Sequence, residues 1–334
     1  MKAIVQQRYG SAEELRLIDI DAPVPGEGEV LVRVRAAAVN ARDWHVMRGD
    51  PYLARVMMPS HFGPRGPRRA VRGSDFAGVV EAVGPGVTRF EPGDEVYGDL
   101  REDDGAFAEL ARVPVGCLER KPAGLTFEQA AAVPLAATTA LVALRDVAGA
   151  RPGETVLING ASGGVGTFAV QLAKAFGAYV TGVCSARNLG LVTELGADEA
   201  IDYTREDFTR ADRRYDVILD LVANHTLSAL LRPLAPGGRL VTAGGGTSAG
   251  GRPRVFGPMA LVIRAQLAAR FGDKRVHPMP NVPPSPEGLA TLRGYLESGE
   301  ITPVVDRTFP LARAAEAVRY LEIDHARAKV VITV

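Results

Sequence analysis

Apolar and polar residues change their spacing near residue 125, and the two patterns predict different structures. Before that point, stretches such as Glu29–Ala36 alternate apolar and polar side chains, which is typical of half-buried strands. Proline and glycine pairs interrupt these stretches at Pro25–Gly26, Gly84–Gly86 and Pro92–Gly93. The first part of the chain therefore predicts a small β-barrel with many turns.

From about Leu125 the pattern predicts strands that alternate with helices. Thr126, followed three residues later by Gln129, is a capping pattern that indicates a helix start. Short apolar runs that suit strands buried on both faces then recur, each followed by glycine, polar residues or a helix. They are Val156–Asn159, Val180–Cys184, Tyr215–Asp220 and Arg239–Ala243. This alternation predicts a doubly wound parallel sheet of the α/β class.

The most informative segment joins the first two of these strands. Ala161-x-Gly163-x-x-Gly166 matches the dinucleotide fingerprint, with alanine in its first place, and a helical pattern follows it. A turn without side chains before a helix directs backbone N–H groups and a partial positive charge at one spot, which suits a pyrophosphate. We therefore predict that a dinucleotide is bound by Gly163, Gly164, Val165 and Gly166.

Composition narrows the class of protein. The 334 residues suffice for two domains, and 46% hydrophobic and 23% charged residues are ordinary for a soluble globular protein. Lys plus Arg and Asp plus Glu both number 39, so nucleic acid or an anionic membrane is not expected as the main partner. No apolar run is long enough to span a bilayer and no signal-peptide core opens the chain. Cys117 and Cys184 are the two cysteines, which excludes a disulfide framework and favours the cytoplasm.

Several motifs, in order along essentially the whole chain, resemble the medium-chain dehydrogenase/reductase superfamily on its quinone oxidoreductase and enoyl reductase side. They are Met1–Val5, Val39–His45, Gly73–Gly84, Arg89–Val96, Asn159–Gly166, Leu195–Asp198 and His325–Val331. The resemblance implies a GroES-like β-barrel catalytic domain formed by residues 1–123 and 284–334. It also implies a Rossmann NADP-binding domain over residues 124–283, and a homodimer in which the Rossmann sheet continues through an edge strand near Arg275–Pro280.

The chain departs from the zinc alcohol dehydrogenases of this superfamily. Those enzymes carry cysteine where Asn40 stands and histidine-glutamate where Ser74 and Asp75 stand. They also have a third ligand near 134–137 and a four-cysteine lobe after Gly98, and this sequence has neither. Asparagine and serine are poor zinc ligands, so no metal is predicted.

The cofactor can be inferred from the end of the second Rossmann strand. NAD-specific sites place an acid there, whereas here no acid follows until Glu194. Ser185 can donate a hydrogen bond and Arg187 can form a charged fork to a 2′-phosphate, which predicts NADPH. The resembling quinone oxidoreductases also have a basic residue at this offset, and a tyrosine where Tyr203 stands. The resemblance further implies nicotinamide contacts from Thr138 or Thr139, Gly244 and Gly245, and an approach of the tail residues Arg327 and Lys329.

Without zinc, the expected electrophiles are quinones and α,β-unsaturated carbonyls, to which the cofactor delivers hydride. Asn40 is a candidate donor to the substrate carbonyl, Asp43 a residue that orients Asn40 or the backbone, and His45 a proton donor. Tyr52 falls where enoyl thioester reductases have a pocket tyrosine, although Pro51 inserts one residue there. Each of the four also has a purely structural interpretation. Two other hypotheses about the function stay open: a non-catalytic NADPH-binding sensor or structural protein, and an alcohol dehydrogenase.

Overall fold

The computed structural model describes residues 1–50, 52–243, 259–271, 275–280, 285–323 and 326–334. The chain forms two compact units. The first comprises Met1–Thr138, Pro283–Gly299 and Pro303–Val334, and the second comprises Thr139–Val282 with Glu300–Thr302.

The described residues contain fifteen strands. They are β1 (Lys2–Val5), β2 (Arg16–Asp19), β3 (Glu29–Val39), β4 (Asp75–Val83), β5 (Glu95–Asp99), β6 (Leu110–Pro114), β7 (Leu118–Arg120), β8 (Thr155–Asn159), β9 (Tyr179–Cys184), β10 (Glu199–Asp202), β11 (Tyr215–Asp220), β12 (Leu234–Thr242), β13 (Val276–Pro278), β14 (Val305–Pro310) and β15 (Lys329–Thr333). The α-helices are α1 (Ala41–Arg48), α2 (Tyr52–Met57), α3 (Phe127–Ala131), α4 (Pro134–Leu141), α5 (Gly164–Ala175), α6 (Leu189–Glu194), α7 (Leu227–Leu231), α8 (Met259–Arg270), α9 (Pro286–Glu297) and α10 (Ala314–Ile323).

The first unit is built on a sheet in which the beginning and the end of the chain meet. Its described strands run in the order β14-β15-β3-β4-β5-β7, with β6 also paired to β3, and β1 and β2 form a separate antiparallel pair. The C-terminal strand β15 lies antiparallel to β3, with Val330 opposite Val39. The long strand β3 alternates as predicted near Arg33 and Arg35, but Ala36–Val39 are all buried. This second half of β3 pairs with β4 and β15.

The second unit contains the predicted parallel sheet. Its described strands run in the order β10-β9-β8-β11-β12-β13 and every pair is parallel. The apolar runs form its interior, as Leu157, Ile218 and Leu240 show by being fully buried. The registers pair Asn159 with Asp220 and Asp220 with Thr242, so the carboxyl ends of neighbouring strands lie at one edge of the sheet.

A local signal in the sequence matches the start of α3. The Thr126 hydroxyl accepts a hydrogen bond from the Gln129 N–H while the Gln129 side chain accepts one from the Thr126 N–H, so the predicted capping box is confirmed. Among the described residues, no helix is both long and apolar enough to cross a bilayer.

Candidate functional site

The glycine turn after β8 has the geometry that the fingerprint predicts. Helix α5 begins at Gly164, and its N-cap residue Gly163 is extended, with φ −83° and no side chain to cap the helix. A Cβ atom at Gly166 would lie 2.1 Å from the Gly160 carbonyl oxygen, so Gly166 allows the turn to pack against the helix. A Cβ at Gly163 would lie 3.4 Å from that oxygen, an ordinary contact. The local packing of the turn therefore does not require a glycine at position 163, and the dinucleotide fingerprint expects one there for close approach of a ligand.

Three predicted cofactor residues lie together at the carboxyl ends of β9 and β10. Ser185 and Arg187 directly follow β9, and Arg187 is exposed. The Tyr203 N–H donates to the Cys184 carbonyl at 3.1 Å, which holds Tyr203 beside the end of β9, and its side chain is 56% exposed. An exposed guanidinium and phenol beside the glycine turn suit an anionic, partly aromatic ligand.

The same edge of the sheet carries a hydrogen-bond network, built on the buried Asn159 and Asp220, that sequence reasoning missed. The Asn159 amide donates to Asp220 Oδ1 at 2.8 Å and to Asn224 Oδ1 at 2.9 Å. Asp220 is fully buried, and within the described residues its second oxygen, Oδ2, has no hydrogen-bond partner. An asparagine or aspartate at the end of a strand is the signal that could have pointed to this network.

In the first unit, a buried cluster of polar side chains forms around Asn40. The Asn40 amide nitrogen donates to Asp75 Oδ2 at 3.0 Å, and Lys329 donates to Asn40 Oδ1. Lys329 Nζ also lies 3.5 Å from Asp75 Oδ2, and the two side chains are 3% and 0% exposed. The other oxygen of Asp75 accepts the Leu135 N–H at the start of α4, at 3.2 Å. Asp75 and Lys329 therefore both contact Asn40, and the sequence predicted neither contact.

Asp43 lies beside this cluster, at the start of α1. Its Oδ2 accepts the Asn40 backbone N–H at 2.7 Å, which joins the start of α1 to the end of β3. Burial raises the pKa of Asp43 to about 6, although the Arg42 guanidinium acts in the opposite direction. Burial also raises the pKa of Asp75, and the Lys329 ammonium opposes that shift. Two carboxyl groups in this unit thus hold protons more tightly than free aspartate.

The two other predicted catalytic residues lie on short helices, His45 on α1 and Tyr52 on α2. His45 is half-buried on α1, its ring stacks on Trp44 with centroids 3.8 Å apart, and Nδ1 lies 3.0 Å from the Asp50 carbonyl oxygen. Because a carbonyl can only accept, Nδ1 carries the proton and Nε2 is the atom that can exchange one. Tyr52 opens α2 with 43% of its surface exposed, and the Arg55 guanidinium lies 4.6 Å above its ring.

The remaining predicted contacts are placed as follows. Thr138 lies half-buried on α4, one turn after Leu135. Arg327 pairs with Asp306, to which its backbone N–H also donates at 3.0 Å. Gly244 and Gly245 lie outside the described residues, so their predicted role is not examined by the structure.

The donor atoms around Asn40 are poorly suited to a zinc ion. An amide, a serine hydroxyl and a lysine ammonium replace the thiolates and imidazoles that zinc prefers. Over the described ranges, no group of three or more histidine, cysteine or acidic side chains is placed to hold a metal.

Comparison with known proteins identifies the class. A family model described as an alcohol dehydrogenase GroES-like domain matches residues 26–123, and one described as a zinc-binding dehydrogenase matches residues 195–332. The chain is 34% identical over 344 residues to the 2-methylene-furan-3-one reductase of Solanum lycopersicum, covering 99% of this chain and 79% of that one. It is also 34% identical to the chloroplastic NADPH-dependent alkenal/one oxidoreductase of Arabidopsis thaliana, with the same two coverages.

A solved structure agrees with these relatives. The quinone oxidoreductase from Coxiella burnetii superposes with a TM-score of 0.82 at 29% identity, covering 100% of this chain and 99% of that one. The chain therefore belongs to the medium-chain dehydrogenase/reductase superfamily. Its fold is the predicted combination of a GroES-like domain with a Rossmann-type parallel sheet, and the protein is an oxidoreductase.

Proposed function

We propose that the protein is an NADPH-dependent, zinc-independent reductase that transfers hydride to a quinone or an α,β-unsaturated carbonyl compound. The observation that carries the proposal has two parts. The glycine turn is open at Gly163, and the residues that directly follow β9 include an exposed Arg187 and no acidic residue. The names of the tomato and Arabidopsis relatives, an enone reductase and an alkenal/one oxidoreductase, support the same electrophile class.

The residues present fit the cofactor. A Cβ atom at Gly163 would have an ordinary 3.4 Å contact with the Gly160 oxygen, and the first N–H groups of α5 have no capping side chain. The backbone from Gly163 to Gly166 would hold the pyrophosphate, and Ser185, Arg187 and Tyr203 the adenosine with its 2′-phosphate. Bound NADPH supplies the hydride. We assign the nicotinamide half to Thr138, Gly244, Gly245 and Arg327.

The first unit supplies the groups that handle the carbonyl oxygen and the proton. Reduction of an enone adds one hydride at the conjugated carbon and leaves negative charge on oxygen, which a hydrogen-bond donor stabilises. Asn40 Nδ2 is that donor. Lys329 donates to the amide oxygen Oδ1, which fixes the orientation of the amide. His45 Nε2 and the Tyr52 hydroxyl are the proton-donor candidates, and Asp43 holds the Asn40 backbone in place.

The test follows NADPH oxidation at the absorbance band of reduced nicotinamide against a panel of quinones, enals and enoyl thioesters. The assay is run with and without a chelator and repeated with NADH. Chelator-insensitive turnover that prefers NADPH is the expected result. Tight NADPH binding without turnover would favour a non-catalytic sensor or structural protein, and stoichiometric zinc with chelator-sensitive turnover of alcohols would favour an alcohol dehydrogenase.

Assembly and location belong to the same proposal. Strand β13 ends the described sheet and pairs with β12 on one side, so its other side can continue the sheet into a second copy. Pro278 in this strand makes such pairing less regular. We propose a homodimer, which a monomer in sedimentation at micromolar concentration would exclude. Both cysteines are free thiols, which suits the cytoplasm, and localisation of a tagged chain tests this.

A further inference from the structure

The Asn40 side chain is held between a buried cation and a buried anion. Lys329 can only donate, so it must face the amide oxygen Oδ1. Asp75 Oδ2 faces the amide nitrogen at 3.0 Å. The orientation of the amide is therefore set by two charges that come from strands β15 and β4, distant in sequence from α1.

One hydrogen of this amide remains weakly engaged. Of its two N–H groups, one donates to Asp75, and the other has the Ala38 carbonyl at 3.5 Å, the limit of a hydrogen bond. A carbonyl oxygen of a ligand can compete for that N–H. Donation from Lys329 to Oδ1 polarises the amide and makes its N–H groups stronger donors.

We propose that Lys329 and Asp75 are positioning residues that hold and polarise Asn40 as the donor to the substrate carbonyl oxygen. The inference rests on the proposed function, because it assumes a carbonyl substrate. Asp75 also contacts α4. Its Oδ1 accepts the Leu135 N–H at 3.2 Å, so the same carboxylate anchors the helix that carries Thr138. A negative group at a helix N-terminus is stabilising, which gives Asp75 a second reason to stay in place.

The test compares Lys329→Met, Asp75→Asn and the double variant. Lys329→Met is expected to lower kcat/KM for a quinone or enone about 10- to 100-fold, mostly through kcat, with the Kd for NADPH within about twofold of wild type. The double variant is charge-balanced, so its thermal stability should recover while its kcat stays low. Recovery of kcat together with stability would show that the pair is only structural, and would overturn the proposal.

A matched control removes another buried cation from the same unit. Arg72 is 1% exposed and pairs with Asp104, without touching Asn40. Arg72→Met is expected to lose stability but to keep the kcat of the wild type. An equal loss of kcat in Arg72→Met and Lys329→Met would assign the effect to general destabilisation, and would overturn the proposal.

A measurement without substrate separates this inference from the proposed function. The Asn40 side-chain amide is followed by ¹⁵N NMR in the full chain and assigned with Asn40→Asp. In the wild type, the pair of amide hydrogens should exchange slowly with water, and in Lys329→Met it should exchange much faster. Unchanged exchange would overturn the positioning role even if the enzyme is active. A wild type that reduces nothing, but whose Asn40 amide responds to Lys329→Met, would refute the proposed function alone.

Discussion

Two glycines in one turn are expected to respond differently to the same substitution. A Cβ atom at Gly166 would lie 2.1 Å from the Gly160 oxygen and 2.7 Å from the Ala161 carbonyl carbon, which are backbone atoms that cannot rotate away. Overpacking usually costs about 1–3 kcal/mol, and a clash with fixed backbone atoms should reach about 3 kcal/mol. Gly166→Ala should therefore lower the melting temperature of the second unit by roughly 6–12 °C.

Gly163→Ala is expected to leave the fold nearly unchanged and to weaken the cofactor. The backbone at Gly163 is extended, with φ −83° and ψ 176°, which alanine adopts freely. Its new methyl would have an ordinary contact of 3.4 Å with the Gly160 oxygen, so the stability cost should stay within about 1 kcal/mol. If the pyrophosphate packs against this glycine, the methyl should raise the Kd for NADPH about 10- to 100-fold.

Thermal unfolding and a fluorescence titration with NADPH measure the two effects separately. Gly294→Ala is the control, because Gly294 lies in α9 with open space at its Cβ position, and this change should alter neither NADPH affinity nor the fold. Unaltered NADPH affinity in folded Gly163→Ala would refute the assignment of the turn to the pyrophosphate. A Gly166→Ala protein as stable as wild type would refute the packing argument.

Other predictions concern charge and thiols. Arg187→Ala should weaken NADPH about 10- to 100-fold and leave NADH unaffected, since one charge-assisted hydrogen-bond pair is lost; equal weakening of both cofactors in steady-state kinetics would contradict this. The pKa of Asp43 rises from 3.8 unfolded to about 6 folded, so stability falls as pH rises through this window. The expected loss of unfolding free energy is about 3 kcal/mol, and denaturant unfolding of Asp43→Asn at several pH values should not show it. If stability depends on pH in the variant as it does in the wild type, this explanation is refuted. Burial raises the pKa of the Cys117 and Cys184 thiols to about 11, so a thiol reagent at neutral pH should label them far more slowly than unfolded chain.

The features that could be predicted from the sequence are those that depend on residues close together in the chain. The capping pair Thr126 and Gln129, the turn from Gly160 to Gly166 and the apolar runs of the parallel sheet each need only a short window of chain. Their physical causes, a helix cap, the absence of Cβ atoms and burial on both faces, are local. For this reason the apolar runs at β8, β9, β11 and β12 were predicted, whereas the short strand β10 was not. The edge strand at Val276–Pro278 was expected from the family resemblance and not from a local pattern.

The cluster around Asn40 could not be predicted in this way. Lys329 opens an apolar C-terminal strand, where a lysine suggests an exposed strand edge, yet it is 2% exposed. It is buried because β15 pairs with β3 and so meets residues that precede it by almost the whole chain. Asp75 likewise acquires its partners from β15, α1 and α4. Pairing of distant strands decides this site, and no spacing within a short window encodes it.

The energetics of this cluster argue for a role beyond stability. Asp43, Asp75 and Lys329 are each at most 2% exposed, and desolvation of buried charges costs more than their pairing commonly returns. The orphan Oδ1 of Asp43 and the hydroxyl of Ser74, which lack hydrogen-bond partners in the described structure, add to that cost. A chain shaped for stability alone would fill this space with apolar side chains. Because the charges are instead concentrated around one amide, the charge-balanced double variant of Lys329 and Asp75 should unfold at the same or a higher temperature than wild type while reducing substrate more slowly.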